Sequence, residues 1–189
     1  MPSSPAWSLT TSAPRQGAGA VIIATAAHAG MFTARLETGG VDVAAAVAAG
    51  QLLLLDAERT LARFMIEGHP GRREFLGVVA TALDHVRAAG HRTVRLYGEM
   101  VDLLWDKQLA ATLELEQLWN EVLADERLSL LCAYRIDELD HHAYGVLRQV
   151  ARRHSRLMPA EDPSVFRKRS TAPTPRCSAS PGMSRPCAI

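Results

Sequence analysis

The sequence predicts an α/β protein of three layers, in which a mainly parallel sheet is flanked by helices. Short apolar runs alternate along the chain with segments whose apolar residues recur at helical spacing. Several runs are apolar at nearly every position, which is typical of strands buried on both faces of a parallel sheet. Glycines that end helices or form turns separate most of these segments.

The first ordered segment is predicted to be a strand at residues 20–25 (AVIIAT), which is short, apolar and rich in β-branched residues. The following helix places Phe32 and Leu36 on one face, and Gly39-Gly40 provides its end. Residues 41–50 stay ambiguous, because their alanines favour a helix but the segment is short and ends at a glycine.

A second buried strand is predicted within residues 51–58 (QLLLLDAE), with its end at Asp56. The Gly-His-Pro-Gly sequence at 68–71 ends segment 57–67, which follows this strand, and a long helix is predicted at 72–89. Residues 57–67 are predicted to be helical because three apolar side chains share one helical face: Leu61, Phe64 and Met65.

The rest of the chain continues the alternation. A third strand is predicted at 93–98, followed by helices at 99–108 and 109–125. A fourth strand at 127–134 precedes a last helix at 137–155. Connections between parallel strands are expected to be right-handed.

The two ends of the chain differ in composition from its body. Nine of the ten prolines lie in 1–17 or 159–189, and only Pro70 lies between them. Asp and Glu are absent from the first of these segments and from 163–189, whereas 18–162 contain 15 Lys and Arg against 20 Asp and Glu. We therefore predict disordered segments at 1–17 and 163–189 around one domain at 18–162.

The charge of this body excludes some function classes. A net charge of −5 without a basic stripe argues against nucleic-acid binding, which needs clustered Lys and Arg. The Arg-Lys-Arg sequence at 167–169 is short, and we interpret it as a solvated tail. No apolar run approaches the roughly 18 residues that a membrane span needs, so no membrane association is predicted.

The cysteines indicate a reducing compartment. Cys132, Cys177 and Cys187 are odd in number and lack CxxC spacing, so neither a disulfide framework nor a zinc site is predicted. Residues 1–17 also lack the basic and apolar pattern of a signal peptide. We expect a cytoplasmic protein that has no cofactor and no metal.

The sequence contains no recognised arrangement of catalytic residues. The loops GxxxxGK[ST] and GxGxxG are absent, and Gly17-Ala-Gly19 precedes the first strand where a phosphate loop would follow it. Ser129 and Cys132 lie in a predicted strand without a nucleophile elbow such as GxSxG. The sequence therefore predicts a protein that is not an enzyme.

Three polar residues come after predicted strands: His28, Asp56 and Glu99. Parallel strands would bring them to one carboxyl edge, where ligands bind in open α/β sheets. Together they could form a polar site, or a metal site without a characteristic spacing. For Asp56 we favour a cap on the helix that follows it, and for His28 a cap or packing role. Glu99 fits a ligand site and a helix N-terminus equally well.

Large aromatic residues form a second group of candidates. For Trp105, Trp119 and Tyr134 we favour core packing, and an apolar pocket for a small hydrophobic ligand is the alternative. Glu116 and Asn120, four residues apart, could orient such a ligand or bond a neighbouring loop. The histidines of the last helix are expected at the surface: His141, His142 and His154.

Six strings occur in order along the chain: VIIATAAH, QLLLLDAERTLARFMIEG, VRLYGEMVDLLW, LELEQLWNEV, LSLLCAY and RRHSRLMPAE. They closely resemble the MEDS domain, a sensory domain first recognised in a dichloromethane-responsive regulator of methylotrophs. The resemblance covers about 20–162.

The resemblance implies a fold similar to the RecA/KaiC ATPase core with a degenerate phosphate loop. It also implies a small hydrocarbon-derived ligand and signalling through a histidine kinase or a transcriptional regulator. The ligand-binding positions it suggests are His28, Asp56, Glu99, Trp105, Glu116, Trp119, Asn120 and Tyr134. A RecA-like nucleotide hydrolase that uses Asp56 and Glu99 is the first alternative, and an inactive remnant is the second.

The chain departs from the family pattern at two places. The usual first strand and helix, with an HxxxFY-like motif, are replaced by the Ser/Pro-rich 1–17, so we expect a domain truncated at its N-terminus. The usual Gly-Asn turn after LLW is replaced by 106–108. The tail after Asp162 is unlike the family, and a shifted reading frame is our hypothesis for it.

Overall fold

The structure is a computed structural model that describes residues 17–105, 108–134 and 141–155, with side chains throughout except at 141–144 and 146–147. The segments predicted to be disordered lie outside these residues, apart from Gly17. Within the described ranges four strands form one sheet: β1 (Gly19–Ala24), β2 (Leu52–Asp56), β5 (Val94–Gly98) and β6 (Leu128–Cys132). Their spatial order is β2-β1-β5-β6, and every pair is parallel.

Helices cover both faces of this sheet, which confirms the predicted α/β layering. One face is covered by α1 (Ala26–Thr38) and α2 (Val43–Ala48). The opposite face is covered by α3 (Ala57–Ala62), α4 (Arg72–Ala88), α5 (Met100–Trp105) and α6 (Leu109–Val122). The last described helix, α7 (His141–Arg153), packs against α6. Within the described residues, no helix combines the length and the apolarity that crossing a bilayer would require.

Strand β1 is buried along its whole length, because it lies between β2 and β5 and between the two helical layers. Its side chains alternate between the layers, so that Ile22 faces α1 and α2 while Val21 faces α4. The first residue, Gly19, lies against α4 so closely that a Cβ atom there would be 2.0 Å from Val86 Cγ1. Only glycine allows this approach of strand and helix.

The order of the strands reverses at β1. The chain passes from β1 to β2 on one side, and it later returns to β5 on the other side. The connections that leave β1 and β5 lead to α1 and α5, which lie on opposite faces of the sheet. Such a switch point opens a crevice at the carboxyl edge of the strands, which is where ligands bind in open α/β sheets.

Two sequence-based predictions were wrong. Strand β2 is not buried on both faces; it is at the edge of the described sheet, and only Leu52 among its residues is fully buried. The helix predicted at 57–67 ends at Ala62. Beyond it, β3 (Met65–Ile66) and β4 (His69–Pro70) form an antiparallel hairpin.

The turn of this hairpin explains why the helix stops. Glu67 and Gly68 both have positive φ angles, 49° and 86°, as the two central residues of a tight hairpin turn require. Phe64 is still fully buried, although it lies in the turn between α3 and β3. The ambiguous segment 41–50 contains the short helix α2, whose first turn is capped by the Asp42 carboxylate.

Candidate functional site

The carboxylate of Glu99 is the centre of a polar cluster at the switch point between β1 and β5. Glu99 directly follows β5 and is only 4% exposed. Its backbone N–H donates to the Ile23 carbonyl oxygen at 3.1 Å, which fixes the residue against the end of β1. We call Thr25, His28, Tyr97 and Glu99 the edge cluster.

Each oxygen of this carboxylate has two hydrogen-bonding partners. Oε2 accepts from the Thr25 backbone N at 2.8 Å and from Thr25 Oγ1 at 3.0 Å. Oε1 accepts from the Tyr97 hydroxyl at 2.6 Å, and His28 Nδ1 lies 2.7 Å from it. Because an ionised carboxylate only accepts, we assign the proton of this contact to His28 Nδ1. These partners satisfy a charge that would otherwise be costly to bury.

The edge cluster has a buried side and an exposed side. The side chain of Glu99 is 5% exposed, whereas that of His28 is 48% exposed. Met31, three residues further along α1 and on the same helical face, is 55% exposed. A ligand can therefore reach the imidazole and an adjacent apolar side chain while the carboxylate stays buried.

A second cluster lies at the same edge but on the opposite face of the sheet, around Glu116 of α6. The Tyr134 hydroxyl donates a hydrogen bond to Glu116 Oε1, and His154 Nε2 lies 3.5 Å from Oε2. Burial raises the pKa of the Cys132 thiol well above its usual range, and the nearby Glu116 carboxylate adds to this. We call Glu116, Cys132, Tyr134 and His154 the thiol cluster.

Two of the three predicted edge residues come together. His28 and Glu99 contact each other, but Asp56 at the end of β2 does not join them. Its Oδ1 accepts a hydrogen bond from the Arg59 backbone N at 2.8 Å, which caps α3. The capping role that the sequence favoured for Asp56 is thus confirmed.

The other predicted site residues divide between the thiol cluster and the core. Trp105 is buried and packs edge-on against Tyr134, with ring centroids 5.3 Å apart. Glu116 is buried, whereas Asn120 is exposed. Trp119 is 2% exposed and packs edge-on against Phe75 at 5.0 Å, as the core-packing prediction requires.

Trp119 also lines an apolar cavity between the sheet and the helices of the second face, together with Val21, Phe64 and Met100. The cavity has about 10 Å³ of room for the centre of a water-sized sphere. That is the space of one water molecule at most, whereas a cavity that binds benzene has on the order of 150 Å³. This cavity is therefore too small for a hydrocarbon as it stands.

Comparison with known families gives a match along most of the chain. The protein-family model described as "MEDS: MEthanogen/methylotroph, DcmR Sensory domain" matches residues 9–155. The chain belongs to the MEDS family. Both clusters of this MEDS domain lie within the matched residues, and the family is one of sensory domains. Searches of curated proteins and of solved structures found no match.

Several residues of this MEDS domain that shape the clusters were missed in the sequence. Thr25 directly follows β1 at the same edge as Glu99, and Tyr97 is two residues before Glu99 and on the same face, so the strand pattern held a signal for both. The sequence placed Cys132 in a strand without a catalytic motif and predicted His154 at the surface. His154 is instead partly buried, because α7 packs on α6 and brings it to Glu116.

The Tyr97 phenol makes the stability of the MEDS domain sensitive to alkaline pH. Burial raises the pKa of Tyr97 well above its usual value of 10.0, and the Glu99 carboxylate adds to this. The phenol of the unfolded chain ionises near pH 10 while the folded phenol stays protonated. Its contribution to the unfolding free energy is therefore complete below pH 10 and decreases above it, by about 1.4 kcal/mol per pH unit.

We expect the variant Y97F to lose less unfolding free energy between pH 9 and 11 than the wild type, as measured by urea denaturation. Phe keeps the ring that packs against Phe32, with centroids 4.4 Å apart, and removes only the ionising group. Parallel losses in the two proteins would contradict this assignment.

Proposed function

We propose that this MEDS domain is a non-enzymatic sensor that binds a small oxygenated hydrocarbon at the edge cluster. In this proposal it passes the signal to a histidine kinase or a transcriptional regulator. The observation that carries the proposal is the buried Glu99 carboxylate, which gathers Thr25, His28 and Tyr97 at the switch point of the sheet.

The cluster suits a ligand that has a polar group and an apolar body. Because Nδ1 of His28 is held by Glu99, Nε2 is the ring nitrogen that remains for a ligand hydroxyl. The exposed Met31 lies one helical turn further along α1, and methionine adapts readily to small apolar shapes. A short alcohol or a related oxygenated hydrocarbon matches both groups.

The Glu99 bonds also suggest how binding is transmitted. Glu99 connects the start of α1, through Thr25, to the start of α5, which Glu99 immediately precedes. A ligand that binds His28 Nε2 changes how strongly Nδ1 of the same ring interacts with this shared carboxylate. The starts of two helices on opposite faces of the sheet then respond together.

The alternative of a RecA-like nucleotide hydrolase has less support. Asp56, its expected metal-binding acid, uses one carboxylate oxygen to cap α3. The residues that follow β1, Thr25-Ala26-Ala27, contain no glycine that would let the backbone wrap a phosphate.

The test is a titration of the full chain with short alcohols, ketones, carboxylates and halogenated hydrocarbons, measured by calorimetry and by thermal shift. We expect an oxygenated member to bind and H28Q to weaken it at least tenfold. The matched control is H85Q, which changes an exposed histidine near the end of α4. Tight, magnesium-dependent ATP binding would favour the hydrolase, and no binding by any compound would favour the inactive remnant.

A further inference from the structure

We propose that Glu116, Cys132 and His154 form a binding site for a divalent cation of the zinc class. Glu116 Oε2, Cys132 Sγ and His154 Nε2 come from α6, from the end of β6 and from the residue after α7, and the ligand atoms of the three residues lie within 4.8 Å of one another. The site is on the opposite face of the sheet from the edge cluster and shares no residue with it.

The imidazole of His154 is arranged as in a metal-bound histidine. Its Nδ1 lies 2.9 Å from the Val150 carbonyl oxygen, and this contact requires the proton to be on Nδ1. In the neutral ring, Nε2 then carries the lone pair, and it lies 3.5 Å from Glu116 Oε2. Metal-binding histidines commonly donate their second ring N–H to a backbone carbonyl in this way, which fixes the tautomer and the orientation of the ring.

The distance between His154 Nε2 and Glu116 Oε2 fits a shared cation better than a direct hydrogen bond. Nε2 and Oε2 are 3.5 Å apart. A charge-assisted hydrogen bond between such groups is about 2.7–2.9 Å long. Two ligands at about 2.0–2.1 Å from a tetrahedral zinc ion are separated by about 3.4 Å. With a neutral imidazole, a cation between them also removes the repulsion between the Nε2 lone pair and a carboxylate that is 3% exposed.

The surroundings hold the carboxylate in position. The Tyr134 hydroxyl donates to Glu116 Oε1, which leaves Oε2 for the cation. The ring of Tyr134 is in turn packed against the buried Trp105. Such partners of the ligands orient metal sites in proteins.

The donor set indicates the class of the metal. Binding of the cation would release the proton of the Cys132 thiol, and a thiolate with an imidazole favours Zn²⁺ or Co²⁺ over Mg²⁺ and Ca²⁺, which prefer oxygen ligands alone. Three protein ligands leave a fourth position for water or another small molecule. Glu116 and Cys132 are 16 positions apart, and Cys132 and His154 are 22 positions apart; neither spacing belongs to a recognised metal-binding motif. The sequence-based expectation of no metal came from the absence of such a motif.

The test is a Co²⁺ titration of the full chain in a C177S/C187S background, which removes the other two thiols. We expect one Co²⁺ per chain, a thiolate-to-cobalt charge-transfer band, and displacement of the cobalt by Zn²⁺. C132S should abolish the band, and H154Q should weaken binding at least tenfold. The matched controls are H69Q and E114Q, which change an exposed His–Glu pair with Nδ1 and Oε2 3.0 Å apart and should leave the titration unchanged.

Circular dichroism of each variant verifies that it is folded, and C132S is nearly isosteric with the wild type. The absence of a charge-transfer band in the folded background protein would overturn the proposal. So would a band that survives C132S, or an equal loss of binding in H154Q and H69Q. Zn²⁺ should also raise the melting temperature of the background protein but not that of C132S.

Discussion

Replacing Glu99 with Gln is expected to lower the free energy of unfolding by about 2–4 kcal/mol, because hydrogen bonds to charged groups contribute about 1.5–3 kcal/mol each. Glu99 accepts from the backbone N and the hydroxyl of Thr25, from the Tyr97 hydroxyl and from His28. A Gln side chain keeps the shape but turns one acceptor into a donor. The Tyr97 hydroxyl and the His28 ring must then exchange their donor roles for acceptor roles, or face the new NH2 group donor to donor.

Urea denaturation of E99Q measures this loss, and E114Q is its matched control. Glu114 also faces a histidine Nδ1, but its side chain is 48% exposed, and such pairs contribute about 0–1 kcal/mol. If both substitutions cost the same, the edge cluster is no more than a surface ion pair. The proposed ligand should also fail to bind E99Q, because His28 loses the group that orients it.

Replacing Trp119 with Ala is expected to lower the free energy of unfolding by about 3–5 kcal/mol. The indole is buried, packs against Phe75 and borders the small cavity under the sheet. The removed ring leaves a space that joins this cavity, and a buried apolar space on the order of 150 Å³ can bind benzene. We therefore expect benzene to stabilise W119A and to leave the wild type unchanged.

Chemical denaturation with and without benzene measures both effects. The control is I66A in the hairpin, which truncates a side chain that is 50% exposed and should cost well under half as much. Equal stabilisation of the wild type by benzene would contradict a closed core. It would also move the proposed hydrocarbon site from the sheet edge to the interior.

Local pattern was sufficient to predict the four strands of the sheet, but it predicted neither their spatial order nor the β3–β4 hairpin. The apolar runs of β1 and β2 look alike in sequence, yet β1 is central and β2 is at the edge of the described sheet. Strand order depends on how the connecting helices pack, and no single run encodes it. Phe64 shows the same limit, because a buried side chain fits a helical face or a turn equally well until its neighbours are known.

The candidate site was predictable where it depends on strand ends. The rule that parallel strands end at one edge brought His28 and Glu99 together correctly. The thiol cluster depends instead on how α6, β6 and α7 meet, and residues 16–22 positions apart in the sequence have no period that links them. A site whose residues are brought together only by the packing of these elements cannot be found from the spacing of residues in the sequence.

The central place of β1 has a consequence for the growing polypeptide. The two strands that pair with β1 are synthesised at very different times, since β2 is complete at Asp56 but β5 only at Gly98. During synthesis one edge of the apolar β1 must wait for about 40 further residues, at roughly 5–20 residues per second. An unpaired apolar edge is a template for association with other chains. We expect this nascent interval of a few seconds, ended by the arrival of β5, to be when the protein most needs a chaperone.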